Sequence, residues 1–177
     1  ITALVQNGQE ISETSAGELY LLANQTPFYG EMGGQVGDIG TIVGDGFEIE
    51  VTDTKKKLDG LWVHVCKMLN GSVRKGTFAS FRVNEENRHA IEANHTVTHL
   101  LHHALQEKFG ASVTQKGSMV AADKMRFDIA YPKQISEPEI RDLENAVNRL
   151  IRANLPVHTN IMTQEDAIKA GAMALFG

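Results

Sequence analysis

Asn94-His95-Thr96-Val97-Thr98-His99-Leu100-Leu101 sets two histidines four residues apart in an apolar, helix-compatible run. On a helix, positions i and i+4 share a face, with Cβ atoms about 5–6 Å apart. Two imidazoles at that spacing can reach one metal ion, and zinc fits them at bonds of about 2.0–2.1 Å. Such pairs also arise by chance. His102 and His103 follow, and His99 can share an ion with either of them as well as with His95. His95 and His103 cannot share one, because eight residues of helix span about 12 Å. Further ligands must come from elsewhere in the chain. The residue after the first histidine is Thr96, where a zinc-protease helix carries its glutamate base. That class is therefore set aside.

Outward from this run the helical pattern extends both ways. Asn84 suits an N-cap, with Glu85 and Glu86 placed to favour the positive end of the helix dipole. Gly110 is a natural stop. A break is expected near Asn94, a poor interior helix residue. Upstream, residues 1–83 read as β-rich. Glu18–Ala23, Phe47–Thr52 and Leu61–Met68 are strand-like, with turn signals at Asn7-Gly8, Gly44-Asp45-Gly46, Asp59-Gly60 and Asn70-Gly71. Short strands at such spacing predict a small barrel. Downstream, Ala111–Gln115 and Lys124–Ile129 are expected as short strands around a turn at Ala121–Lys124. A second helix starts at Ser136 or Glu137 and carries an apolar stripe of Ile140, Leu143, Val147, Leu150 and Ile151 to Pro156. Val157–Met162 is expected as a strand, and Thr163 as the cap of a final helix, Gln164–Ala170. The expected fold is α+β: a β-barrel subdomain over 1–83, then an α+β core over 84–177 that holds the His-x-x-x-His helix.

Composition narrows the function. A chain of 177 residues with 42% apolar and 22% charged residues has an ordinary soluble globular balance. No apolar run approaches the roughly 20 residues of a membrane span, and the first residues do not read as a signal peptide. Cys66 is the only cysteine, so an internal disulfide is excluded and a reducing cytoplasm fits. A net charge of −5 is not that of a protein holding nucleic acid by charge alone. If RNA is the partner, contact is confined to a small part of it. The start without Met and the ending Ala-Leu-Phe-Gly read as a piece of a longer protein.

Other candidates lie outside the helix. Cys66 sits in an expected core strand, where a small buried thiol is commoner than a metal ligand. His64 and His158 are expected as structural residues on strands, at the surface or partly buried, and His89 on the exposed side of the helix. Thr26-Pro-Phe-Tyr-Gly-Glu-Met-Gly-Gly-Gln-Val-Gly-Asp-Ile-Gly40 packs glycines and a proline into one loop. Such a loop is either a structural hairpin or a place where backbone approaches a ligand closely. It lacks the Gly-Lys-Ser/Thr ending of a Walker loop and the dinucleotide fingerprint. Its useful polar groups are Thr26, Gln35 and Asp38. In Gln115-Lys116-Gly117-Ser118, Gln115 and Ser118 are hydrogen-bonding candidates. Lys116 and Arg126 are possible phosphate contacts, though Arg126 and Asp128 equally suit a surface pair. Lys55-Lys56-Lys57 is expected as a solvated turn.

In this order, Thr26-Pro-Phe-Tyr…Gly33-Gly34-Gln35-Val36-Gly37-Asp38, Asn94–Leu101, Gln115–Ser118 with Arg126-Phe-Asp128, and Gly171–Gly177 resemble the editing region of the alanyl-tRNA synthetase family. The resemblance covers nearly the whole chain. It implies a β-barrel subdomain followed by an editing core shared with free-standing alanyl-tRNA editing proteins and with threonyl-tRNA synthetase. The implied activity is hydrolysis of the ester of tRNA(Ala) mischarged with serine or glycine. The implied partners are the tRNA acceptor end and the remaining synthetase domains, where ATP would act in a catalytic domain absent from this chain. It further implies a zinc site of His-x-x-x-His plus a later Cys-x-x-x-His. His95 and His99 match the first pair, the second has no match here, and Cys66 precedes the helix. Gln35 and Thr26 would act on the aminoacyl group, Gly33 and Gly34 would shape the pocket wall, and Gln115 and Ser118 would contact substrate. Whether zinc would activate water or hold the substrate's 3′ end stays open. A free-standing editing hydrolase and a non-catalytic RNA- or protein-binding module remain the alternatives.

Overall fold

A computed structural model describes residues 1–58, 60–110 and 112–172. Among them the chain forms, in order, β1 (Ala3–Gln6), β2 (Gln9–Ile11), β3 (Glu13–Thr14), β4 (Glu18–Leu22), β5 (Gly40–Gly44), β6 (Phe47–Lys57), β7 (Leu61–Gly71), β8 (Val73–Arg74), β9 (Ala79–Val83), α1 (Glu85–Phe109), β10 (Thr114–Val120), β11 (Met125–Ala130), α2 (Glu137–Ala153) and α3 (Gln164–Lys169). The fold is α+β. It divides into two units, one of Ile1–Thr98 with Gly117–Phe127, the other of His99–Lys116 with Asp128–Gly177.

The first unit is built on a seven-stranded antiparallel sheet in the order β2-β1-β4-β7-β6-β5-β9. Alternation sets its core face. Along β6, Phe47, Ile49 and Val51 are buried, and they pack with Leu4, Leu21, Ile42, Cys66 and Met68. The same rule on β7 buries His64, Cys66 and Met68 together. Val51 pairs with Cys66 and Asp53 with Val65, so Thr52 is an extra, bulged residue. The bulge reverses the parity of the strand, which is why Thr54, three residues past Val51, is also fully buried. At Asn7 (φ 53°) and Gly8 (φ 76°) both turn residues are left-handed, as a two-residue hairpin between twisted strands requires.

The expected barrel does not close. Among the described residues, β2 and β9 end the sheet without a ladder between them. The gap is bridged by the separate two-stranded ribbon β3–β8 and by single bonds from the amides of Lys75 and Gly76 to the carbonyls of Ser12 and Ile1. Strands of two and three residues are too short to complete the circuit. Lys55-Lys56-Lys57 is not a turn but the end of β6, with Lys55 paired to Asp53 and Glu31 and Lys56 over the Trp62 ring. The turn expected at Asp59-Gly60 involves Asp59, outside the described residues.

α1 starts as expected: the Asn84 side chain accepts from the Asn87 amide at 3.0 Å. It does not break at Asn94. The Asn94 amide donates to the carbonyls of Ala121 and Ala122 at 2.8 and 3.2 Å, so its polar group is satisfied outside the helix it interrupts in propensity. Gly110 closes the helix at φ 90°. β10 begins at Thr114, three residues later than the expected strand, whose first residue Ala111 lies outside the described residues. The turn between β10 and β11 is held by the Ala121 amide on the Lys124 carbonyl at 2.9 Å.

In the second unit, the Glu139 carboxylate accepts from the Ser136 amide and hydroxyl at the start of α2. Leu143 and Val147 of the stripe are buried, while Ile140 and Ile151 stay exposed. α2 ends before Pro156, at Asn154 in the left-handed conformation (φ 45°). Lys108 pairs with Asp142 at 2.8 Å, and the Phe109 and Tyr131 rings stack at 4.6 Å. Val157–Met162 is not a strand. It has no ladder partner among the described residues, and Val157 and Ile161 are exposed, as is His158. Thr163 caps α3 as expected. Of the Gly171–Gly177 ending, residues 173–177 lie outside the described residues. Among the described residues no helix is long and apolar enough to cross a membrane.

Candidate functional site

The glycine-rich loop between β4 and β5 shapes a cleft of about 450 Å³ in the first unit, lined by Thr26, Pro27, Phe28, Tyr29, Gln35, Trp62, Arg88 and Glu92. Its tip is a two-residue turn. Gly33 (φ 61°) and Gly34 (φ 86°) are both left-handed, and Met32 and Gln35 exchange backbone hydrogen bonds across them at 3.2 and 3.1 Å. A Cβ on Gly34 would lie 2.5 Å from Ser118 Oγ. The Val120 amide donates to the Gly34 carbonyl at 2.8 Å, and the Val36 amide to the Val120 carbonyl at 3.0 Å. The loop tip is thus pinned on β10, and this orients Gln35.

Gln35 Oε1 meets His95 Nδ1 at 2.6 Å. With the amide oxygen accepting, Nδ1 carries a ring proton. Two residues chosen from separate motifs are therefore partners. Thr26 lines the same cleft. Its hydroxyl is 2.8 Å from His64 Nε2 and accepts from the Phe28 amide at 3.1 Å. His64 is fully buried, not at the surface, with Nδ1 2.9 Å from the Leu21 carbonyl, and burial pushes its pKa down.

The remaining candidates are divided between the two units. Ser118 lies in the first unit against Gly34, whereas Gln115 and Lys116 lie in the second. His95 falls in the first unit and His99 in the second, both within α1. Cys66 is buried in the sheet, its thiol pushed up to about 12 by burial, which disfavours the thiolate that a metal needs. Among the described residues no three His, Cys, Asp or Glu side chains gather as a metal-holding group. Asp38 is buried beneath the loop and bonded to Arg88.

Sequence reading missed His64, Arg88 and Glu92 as neighbours of the cleft. For His64 a signal existed: it shares strand parity with Cys66 and Met68, so alternation alone turns it inward. Arg88 and Glu92 are one helical turn apart on α1 and carry no motif. Chemically the cleft offers an amide paired with an imidazole, a hydroxyl held by a second imidazole, a carboxylate and an aromatic wall. That set suits recognition of a small polar group and orientation of a water.

Known proteins match this chain along its whole length. Residues 1–87 match the family model described as tRNA synthetases class II (A). The whole chain aligns with the alanine–tRNA ligase of Chelativorans sp. (strain BNC1) at 51% identity, and with that of Mesorhizobium japonicum at 47%. Both alignments cover 100% of this chain and 20% of the relative, so the chain spans about a fifth of the length of the relatives it matches. The chain belongs to the alanyl-tRNA synthetase family, as a stretch of those longer enzymes.

Proposed function

We propose that this chain carries the editing function of an alanyl-tRNA synthetase, hydrolysing the ester of tRNA(Ala) mischarged with serine or glycine. The need is physical. A pocket for alanine discriminates weakly against an analogue that adds a hydroxyl or lacks a methyl, so a second, hydrolytic site is required. The observation that carries the reading is the cleft in which Thr26 and Gln35 both stand, with Gln35 on His95 at 2.6 Å. In the proposed reaction water adds to the ester carbonyl, and the bond to the ribose oxygen breaks. The amino acid leaves as its acid and the tRNA keeps its 3′ hydroxyl. Thr26 and Gln35 bind and orient the aminoacyl group, Gly33 and Gly34 form the wall, and Ser118 supports it from β10. Gln115 is a further substrate contact by resemblance. The partners in this reading are the acceptor end of tRNA(Ala) and the other domains of the synthetase, at work in the cytoplasm. ATP belongs to aminoacylation and has no role here.

Zinc fits less well. Spacing and resemblance assign His95 and His99 as ligands, but two imidazoles fall short of the three or four protein donors typical of zinc. Among the described residues nothing completes the set. The roles proposed for Thr26, Gln35 and the glycines do not depend on a metal. The test is hydrolysis of seryl-tRNA(Ala) by this chain, with and without added zinc, against alanyl-tRNA(Ala) as control. Selective loss of serine supports the reading. If the full-length ligase containing this stretch discharges serine equally well with Thr26→Val and Gln35→Met together, the assignment of the cleft fails.

A further inference from the structure

The Leu21 carbonyl, 2.9 Å from His64 Nδ1, can only accept a hydrogen bond, so Nδ1 carries a proton. The ring is fully buried, with the Phe28 and Phe81 rings edge-on at 5.4 Å each. Such surroundings disfavour the imidazolium. Neutral His64 protonated at Nδ1 has its lone pair at Nε2, and Thr26 Oγ1, 2.8 Å away, must donate to it. A hydroxyl has one proton and two lone pairs. The proton goes to His64, and one lone pair receives the Phe28 amide. Only acceptor capacity is left for a group in the cleft.

We propose that His64 is a positioning residue that fixes the Thr26 hydroxyl as a hydrogen-bond acceptor, so that the cleft selects a ligand donating a hydrogen bond at that point. The ligand chemistry is an ammonium or a hydroxyl: seryl and glycyl esters share the α-ammonium and the free ribose hydroxyl, and only the seryl ester adds a side-chain hydroxyl. The inference rests on the editing reading for its substrate, but not for the tautomer.

The tautomer is tested first, by nitrogen-15 NMR of the chain near neutral pH. The expected spectrum has His64 protonated at Nδ1 with an accepting Nε2 whose shift moves in Thr26→Val. An Nε2-protonated or doubly protonated ring overturns the proposal, whatever the activity. Two substitutions then separate orientation from packing. His64→Asn keeps a donor toward Leu21 and loses the acceptor facing Thr26, while His64→Gln places an amide oxygen near the Nε2 position. In the full-length ligase, His64→Asn and Thr26→Val should each lower kcat/KM for seryl-tRNA(Ala) discharge by about tenfold. His64→Gln should recover most of that loss, and the double variant Thr26→Val/His64→Asn should be no worse than Thr26→Val alone. Losses that multiply in the double variant, or a His64→Gln variant as impaired as His64→Asn, overturn the proposal. Glycyl-tRNA(Ala) tells the donors apart: a parallel loss assigns a donor common to both esters, a loss confined to serine the side-chain hydroxyl. A parent ligase unable to discharge serine would instead sink the editing reading, and the NMR result would still decide the tautomer.

Discussion

Arg88, in the first turn of α1, donates through its guanidinium to the carboxylate of Asp38, a side chain only 1% exposed. The same guanidinium donates to the Pro27 carbonyl at 2.8 Å, and the Tyr29 amide donates to Asp38 at 2.6 Å. Both ends of the glycine-rich loop are thereby tied to the helix. The hydrogen bond to Asp38 raises the Arg88 pKa against the opposing effect of burial, so the guanidinium stays charged. Arg88→Met would strand a buried carboxylate, at a cost of about 3–5 kcal/mol. Because Arg88 is 32% exposed, the lower end is expected. Urea unfolding measures it. A loss below about 1 kcal/mol would show that the pair contributes no more than a surface ion pair.

Two glycines of the loop are glycine for different reasons, and they predict different penalties. A Cβ at Gly37 would sit 2.0 Å from the Thr54 carbonyl oxygen and 2.7 Å from its amide nitrogen, both backbone atoms. A Cβ at Gly33 would meet nothing within 4 Å, so only its left-handed φ of 61° opposes a side chain. Gly33→Ala should cost about 1–2 kcal/mol. Gly37→Ala should cost more, because backbone on both sides must shift. Thermal unfolding of the two variants decides it, and equal midpoints would contradict the steric account.

The helices and the first strands were legible because their signals are local. Asn84, Gly110, Ser136 and Thr163 mark ends by capping chemistry that needs no distant partner. The barrel was misread because closure depends on pairing between β2 and β9, which no short window encodes. β6 was read only to Thr52 because the bulge there breaks the alternation that defines a strand in sequence. Val157–Met162 has strand composition but finds no ladder among the described residues. Thr26 and Gln35, singled out from one loop motif, both line the cleft. His64 was not legible, since its role comes from Leu21, forty-three residues away, and Thr26, thirty-eight away.

Gln35 acts through its side chain alone if the reading of the cleft is right. Its backbone closes the turn with Met32, a pairing that any residue can make. Gln35→Met should therefore leave thermal stability within about 1 kcal/mol of the parent, as for a neutral exchange at a half-buried position. Discharge of seryl-tRNA(Ala) should fall by about tenfold. Gln35→Glu keeps an oxygen toward His95 Nδ1 and should retain more activity than Gln35→Met. The reverse order of the two variants would remove the His95 contact from the account of the cleft.

His64 also makes stability depend on pH in a direction that can be worked out. Burial lowers its pKa below the ordinary 6.5, with the Leu21 hydrogen bond opposing that shift only in part. Between the folded value and 6.5 the unfolded chain therefore binds more protons than the folded one, and stability rises with pH across that window. The contribution is complete above about 6.5 and is lost as the pH falls toward the folded value, at no more than about 1.4 kcal/mol per pH unit for one proton. The readout is a difference between parent and variant, which isolates this one ring. Urea unfolding of the parent and of His64→Gln, followed from about pH 7 down to about pH 5, should show the parent losing stability faster on acidification. Parallel curves would mean that the buried ring takes up its proton as readily as a free histidine, which the aromatic packing around it opposes.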